Sequence, residues 1–95
     1  APSVATAASE QLARALAVEL APLRFNAIAP GWTRTPMWDA LLGADREPTL
    51  AAVAARIPVG RLASAEEAAH AVLMLMANGA VNGEVLHVDG GHRLV

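Results

Sequence analysis

The apolar residues at the start of the chain recur every four positions. This stripe consists of Ala8, Leu12, Leu16 and Leu20. The charged residues of the same stretch lie off the stripe, as they do on an amphipathic helix. The spacing therefore predicts a helix over 4–21, which Pro22 ends because proline cannot continue a helix.

Two short apolar runs predict strands. Residues 24–29 follow the first helix directly and stop at the turn signal Pro30-Gly31, which suits a strand buried on both faces of a parallel sheet. Residues 84–88 form the second run, and another turn signal follows it at 89–91.

A second helix is predicted between these strands. Ser64 and Glu67 have the spacing of a capping box, in which each side chain satisfies a backbone N–H of the other residue at a helix N-terminus. Apolar residues then recur at helical spacing until Asn78-Gly79. The pattern predicts a helix over 65–77, and a crossover helix implies that the two strands run parallel in one sheet.

The segment between the first strand and the capping box is long. Four of the six prolines and both tryptophans lie within residues 30–60, where they interrupt short helical pieces such as 49–56. Loops of this length in compact domains are usually lids or binding loops.

The order helix, strand, long loop, helix and strand is that of a piece of an α/β fold. Two strands do not make a stable sheet, since three or more are normally needed, so we expect further strands to precede residue 1 or to belong to another chain. The composition agrees with this expectation. At 55% hydrophobic, the 95 residues are more apolar than a free-standing domain of this size requires.

Charge and residue content exclude several function classes. The net charge is −2 and the arginines are scattered, so the chain offers no basic patch for nucleic acid. Without an apolar run near the roughly 18 residues of a membrane span, and without a signal-peptide pattern, we expect a cytoplasmic protein that does not enter the membrane. The chain also has no cysteine, lysine or tyrosine. A mechanism that needs one of these side chains must obtain it elsewhere.

Four short motifs connect the chain with a known family. They lie at 15–36, 58–61, 65–67 and 88–91. In this order and at this spacing they resemble the stretch from the catalytic helix through the sixth strand of short-chain dehydrogenases/reductases, followed by that family's PxGR, PEE and VDGG signatures. The resemblance covers essentially all of residues 1–95.

The resemblance implies both a fold and a place in it. The fold is α/β with a Rossmann-type doubly wound parallel sheet. Residues 1–95 are expected to form the C-terminal segment of the domain: a remnant of the catalytic helix, the nicotinamide-side loop, the substrate loop, and the last helix and strand. The glycine-rich phosphate turn and the active-site serine of the family would precede residue 1.

The segment after the first strand carries the implied cofactor site. It leaves the carboxyl end of that strand, where ligands of open α/β sheets bind. By resemblance, the residues that bind NAD or NADP are Pro30, Gly31, Thr33 and Thr35. The backbone amide and carbonyl of Thr33 hold the nicotinamide carboxamide, the Thr35 hydroxyl holds the carboxamide or pyrophosphate, and Gly31 lets the backbone approach a flat ring. An ordinary strand-terminating turn is the alternative.

Trp32, Met37 and Trp38 belong to the loop that folds over the substrate in the family. The implied substrate is a small carbonyl or alcohol, and aromatic and thioether groups suit an apolar or mixed one. The tryptophans could equally pack the loop down or form a subunit contact, and the sequence does not choose. The family also implies a homo-oligomer, formed through the helix at 4–21 or through the last strand and its tail.

Three other side chains near the end of the chain could suggest a metal. His87, Asp89 and His92 straddle a strand end and a Gly-Gly turn without a further ligand cluster, so we expect no metal site. Arg61 and Asp89 match family positions with roles in the fold and the interface.

The catalytic pair of the family is missing from this chain. A Tyr-x-x-x-Lys motif opens the family's catalytic helix, and counting back from Glu19 without gaps places Pro2 at the tyrosine position and Thr6 at the lysine position. Proline has no titratable group and threonine has no positive charge. We therefore assign no catalytic residue here.

Two functions remain open. The first is an NAD(P)-dependent oxidoreductase of which this chain is a catalytically incomplete part, either as a fragment or as one half of a split protein. The second is a non-catalytic relative that binds a nucleotide or serves as a scaffold.

Overall fold

The computed structural model describes residues 4–95. Its helices are α1 Val4–Glu19, α2 Met37–Leu42, α3 Arg46–Ala54 and α4 Ala65–Ala77. Its strands are β1 Ala27–Pro30, β2 Thr33–Arg34, β3 Ala63–Ser64 and β4 Val85–Val88. Short 3-10 turns occupy Gly43–Asp45 and His92–Leu94.

The two principal strands pair as the sequence predicts. β1 and β4 are parallel neighbours, with Ala27 opposite Val85 and Pro30 opposite Val88. The parallel pairing and the α/β class are thereby confirmed. The first strand begins three residues later than expected, at Ala27 rather than at 24.

Arg24 connects the segment before β1 with the end of α4. Its guanidinium donates to the carbonyls of Leu75, Met76 and Val81, each at 2.9 Å. The last carbonyls of a helix have no partner within the helix, and a cation stabilises that end of the helix dipole. Arg24 therefore holds the end of α4 against the segment that precedes β1. The apolar pattern of 24–29 does not predict this contact.

The first helix packs through a narrower face than its leucine stripe suggests. Ala13 and Ala17 are its buried residues, and α1 contacts β1. Leu12 of the stripe is 57% exposed. The helix also ends at Glu19, two residues before the predicted end.

The long loop is more ordered than its sequence suggests. α3 spans Arg46–Ala54, whereas the predicted helical piece is 49–56, and Pro48 lies in its first turn, where a missing N–H costs nothing. β2 pairs in parallel with β3, a contact that the sequence does not predict. Under this segment lies the main apolar cluster, formed by Leu50, Val53, Ile57 and Leu62.

The predicted capping box of α4 is present. Ser64 Oγ accepts from the Glu67 N–H at 3.1 Å, and Glu67 Oε1 accepts from the Ser64 N–H at 2.9 Å. The Arg61 guanidinium also donates two hydrogen bonds to the Glu67 carboxylate, at 2.7 and 2.8 Å. The Arg61 guanidinium, followed by the Ser64 N–H, lowers the pKa of Glu67 to about 2. Two of the sequence motifs, at 58–61 and 65–67, thus meet in one cluster of hydrogen bonds.

The overall shape is elongated. The principal extents are 48 × 27 × 26 Å and the radius of gyration is 15.4 Å, against about 13 Å for a compact domain of roughly 100 residues. Several large apolar side chains on α1 and α4, such as Val18 and Met76, are exposed. Within residues 4–95, no helix is both long and apolar enough to cross a membrane.

Replacing Ser64 by Ala tests the capping box. The substitution removes the oxygen that accepts from the Glu67 N–H, so the free energy of unfolding should fall by about 0.5–2 kcal/mol. Ser9→Ala is the matched control, because the Ser9 hydroxyl only bonds back to the Ala5 carbonyl within α1. Urea unfolding of both variants measures the difference. Equal stability of the two variants would show that the cap contributes nothing.

Candidate functional site

The turns that follow β1 and β4 leave the sheet at the same edge. The parallel register places Pro30 opposite Val88, so the segments 31–35 and 89–91 begin side by side. Ligands of open α/β sheets bind beyond the carboxyl ends of the strands, which is where both turns lie.

Gly31 lets these two turns approach each other closely. Its N–H donates to the Val88 carbonyl at 3.0 Å. A Cβ built on Gly31 would stand 2.6 Å from the Cβ of Asp89, a distance that side chains do not tolerate. On this side of the turn the space that glycine leaves is filled by Asp89 rather than being open to a flat ring.

Asp89 is a buried anchor of the second turn. Its carboxylate, 9% exposed, accepts from the Gly91 N–H at 3.0 Å and from Arg93 Nη1 at 2.7 Å. Burial raises the pKa of Asp89, but the N–H groups of Gly91 and Arg93 and the Arg93 guanidinium outweigh it, so the pKa lies below its ordinary value. The ionised, compensated carboxylate fits a role in the fold, as the resemblance implies for this position.

The Gly90-Gly91 turn contacts the segment 57–59, which overlaps the Pro-Val-Gly-Arg motif at 58–61. Gly90 has a φ of 62°, and a Cβ there would lie 2.5 Å from Val59 Cγ2 and 2.8 Å from Ile57 Cγ2. The Gly90 carbonyl also accepts from the Val59 N–H at 3.2 Å. Only glycine combines this backbone conformation with this contact. The turn after β4 is therefore held against 57–59.

Thr33 lies in β2, next to the edge of the site. Its hydroxyl donates to the Gly31 carbonyl at 3.0 Å, which closes the turn on itself. Its backbone carbonyl accepts from Trp38 Nε1 at 2.8 Å. Thr35 follows β2, is partly buried, and accepts the Trp38 N–H on its carbonyl at 3.3 Å at the start of α2.

The two indoles form one stacked unit. The ring centroids of Trp32 and Trp38 are 4.7 Å apart and their planes differ by 16°. Both rings pack on the apolar cluster beneath the loop. This arrangement favours the hypothesis that the tryptophans pack the loop onto the rest of the domain, which is one of the alternatives that the sequence leaves open. Met37, the first residue of α2, is 54% exposed.

A concave cleft of about 600 Å³ opens between the two turns and the indoles. Its lining consists of Pro30, Gly31, Trp32, Trp38, Asp89, His92 and Arg93. The size is within the range of sites for small molecules. Four predicted site residues line the cleft, while Thr33, Thr35 and Met37 lie outside its lining.

The last turn contributes Asp89, His92 and Arg93 to this cleft, which the sequence did not predict. The sequence assigned Asp89 a role in the fold and the interface, and it assigned no ligand-binding role to His92 or Arg93. The signal was present, since a Gly-Gly turn after a predicted parallel strand lies at the same sheet edge as the Pro30-Gly31 turn. Within residues 4–95, no three side chains of the metal-binding types come together.

A chain of exposed ion pairs connects the elements around the loop. Glu47 accepts from Arg34 and from Arg46, each at 3.2 Å, and Arg46 also contacts Asp39. The hydrogen bond from Arg34 is the principal cause that lowers the pKa of Glu47. Each exposed pair contributes little to stability, but together they join β2, α3 and α2.

The two positions at which the family carries its catalytic pair belong to the beginning of the chain. Thr6 is an exposed residue of α1. Pro2 is outside the described residues.

The chain is similar in sequence to dehydrogenases and reductases. A family model described as enoyl-(acyl carrier protein) reductase matches residues 1–93. A cis-4-hydroxycyclohexanecarboxylate dehydrogenase of Sinomonas cyclohexanicum is 44% identical over 97 aligned positions, which cover 98% of this chain and 37% of the relative. The short-chain reductase protein NovJ of Streptomyces niveus is 44% identical over 85 positions, covering 82% of this chain and 32% of the relative.

The fold is similar to that of solved dehydrogenases. A small-chain dehydrogenase in complex with NADPH matches with a TM-score of 0.88 and 38% identity, over 95% of this chain and 41% of that one. This likeness confirms the predicted fold class as part of a Rossmann-type parallel sheet. The chain spans about a third of the length of the two curated relatives.

Replacing Gly31 by Ala tests the contact between the two turns. The added methyl group would meet Asp89, so either turn must shift and the free energy of unfolding should fall by about 1–3 kcal/mol. Gly79→Ala is the matched control, because no atom lies within 4 Å of a Cβ at that position. Thermal unfolding of both variants measures the effect. A Gly31→Ala protein as stable as the control would contradict the close approach.

Proposed function

The chain belongs to the short-chain dehydrogenase/reductase family, and from this membership we propose that it is the nicotinamide-side and substrate-side segment of an oxidoreductase. The enzyme moves a hydride between NAD or NADP and a small carbonyl or alcohol. Residues 1–95 form the C-terminal segment of its domain, and the upstream region supplies the phosphate-binding half.

The observation that carries this proposal is the shared sheet edge. The turns after β1 and β4 meet beyond the carboxyl ends of two parallel strands, beside a cleft of about 600 Å³. A relative of similar fold was solved in complex with NADPH. Both findings support a dinucleotide at this edge.

The backbone of Thr33 fits the nicotinamide carboxamide, which needs one donor and one acceptor. The bond from the Ala63 N–H to β2 uses the carbonyl of Trp32. Because backbone groups of successive strand residues point to alternate edges, the N–H and carbonyl of Thr33 lie on the edge away from β3. We assign this pair to the carboxamide and the Thr35 hydroxyl to the carboxamide or pyrophosphate.

Pro30 and Gly31 shape the turn that carries these groups. Bound NAD(P) would donate or accept the hydride, and the residues of this chain bind and orient it. The stacked indoles of Trp32 and Trp38, with the exposed Met37 beside them, provide an apolar wall for the substrate.

Assembly and location complete the proposal. Family membership supports a homo-oligomer, for which α1 and the tail after β4 are the two candidate surfaces. We also propose a cytoplasmic location, with which the cysteine-free composition agrees.

A non-catalytic relative is the second candidate. Pro2 and Thr6 at the positions of the family's tyrosine and lysine favour it. In that case the same sheet edge binds a nucleotide or a partner without transferring hydride.

An absorbance assay of NAD(P)H oxidation tests the proposal. Residues 1–95 alone and the complete reading frame, with any residues upstream of Ala1, are compared on a panel of aldehydes and ketones. We expect turnover from the complete protein, in which the upstream region supplies the phosphate-binding half and a relocated proton donor. The isolated chain should show no ordinary turnover, because it lacks both, and a positioned acid/base alone contributes about 10²–10⁴-fold in rate.

Two other outcomes of the assay would each refute part of the proposal. Ordinary turnover by the isolated chain would refute its catalytic incompleteness. A complete protein that binds nucleotide but transfers no hydride would refute the oxidoreductase and support the non-catalytic relative.

A further inference from the structure

The Thr33 carbonyl already has one donor within the chain. Trp38 Nε1 donates to this oxygen at 2.8 Å, and the bond is partly buried. It is the same carbonyl that the proposed function assigns to the nicotinamide carboxamide. The loop that covers the substrate and the backbone that holds the cofactor therefore meet at one oxygen atom.

The indole of Trp38 is fixed by more than this bond. It stacks on Trp32 with the centroids 4.7 Å apart, and it packs on the apolar cluster that includes Leu50 and Val53. Its backbone N–H also bonds the Thr35 carbonyl at 3.3 Å. Displacing the ring would break the bond to the Thr33 carbonyl, the stack and the packing on the cluster, so the indole is held in place.

A carbonyl oxygen has two lone pairs and can accept two hydrogen bonds. With Trp38 on one of them, the other remains for the carboxamide NH₂. A carbonyl fixed in direction by a held donor is pre-organised, and a pre-organised acceptor loses less entropy on binding.

We propose that Trp38 is a positioning residue, whose indole N–H orients the Thr33 carbonyl so that it accepts the nicotinamide carboxamide as a second donor. The inference rests on the proposed function and adds a residue to it.

The test is Trp38→Phe in the complete protein, with three ligands. The variant keeps an aromatic ring against Trp32 and removes the N–H together with part of the indole ring, a loss of volume that the Trp32→Phe control shares. NADPH carries the carboxamide, its 3-acetylpyridine analogue has no N–H to donate to Thr33, and ADP-ribose lacks the whole nicotinamide end. Isothermal titration gives a dissociation constant for each ligand and each protein.

We expect the dissociation constant of NADPH to rise about 2- to 10-fold in Trp38→Phe, the range for one lost hydrogen bond. The constant for ADP-ribose should change by less than about 2-fold, and the acetylpyridine analogue should show a smaller change than NADPH. Trp32→Phe is the control, because it disturbs the same stack but leaves the Trp38 N–H in place. Its effects on NADPH and ADP-ribose should match each other.

A spectroscopic measurement covers the case in which Trp38→Phe does not fold. In Trp32→Phe, with any tryptophan upstream of Ala1 also replaced by Phe, Trp38 is the only tryptophan, since residues 1–95 contain two. Its emission should shift when NADPH is added and stay constant with ADP-ribose.

Three results would overturn the inference. Equal weakening of NADPH and ADP-ribose in Trp38→Phe would mean a purely structural role. Unchanged or tighter NADPH binding would mean that the indole does not help the carbonyl. Failure of the unmutated protein to bind either ligand would remove the proposed function itself, a result that is recognisable because it precedes any mutation.

Discussion

The close approach of Gly31 to Asp89 is the constraint on which the rest of the site depends. The parallel register of β1 and β4 brings the two turns to one edge, and the missing side chain at Gly31 lets them touch. Asp89 then uses its buried carboxylate to fix the 89–93 turn rather than to do chemistry. Two turns from distant parts of the chain thus form one wall of a cleft, and neither turn could take its place without the other.

The long loop supports the other wall of the cleft, opposite the two turns. α2 and α3 rest on the apolar cluster around Leu50, and the stacked tryptophans join that cluster to the segment 33–35. The exposed ion pairs around Glu47 add a weaker, salt-sensitive connection between the same elements. The apolar contacts therefore determine the position of the loop, and the ion pairs around Glu47 add a smaller stabilisation. This division explains why the segment 30–60, rich in proline and tryptophan, is ordered next to the site.

The features that could be predicted are those with a local or periodic signal. The capping box at Ser64 and the crossover helix follow directly from residue spacing, and the parallel pairing follows from the crossover. The start of β1 at Ala27 and the bonds of Arg24 to the end of α4 could not be predicted, because both depend on contacts with residues some 50 positions away. β2 and β3 are two residues each, too short to carry a period. In the site, Arg93 was missed because its position depends on a turn whose conformation is set by tertiary contacts.

The central claim is that the segment after β1 faces the nicotinamide end of a dinucleotide. Backbone hydrogen exchange of the complete protein, with and without NADPH, measures this segment directly, because a bound ligand slows exchange where it contacts or orders the backbone. The account predicts slower exchange across 31–38 with NADPH, a weaker effect with ADP-ribose, and no change across α4. Slower exchange at other sites with 31–38 unaffected would contradict it.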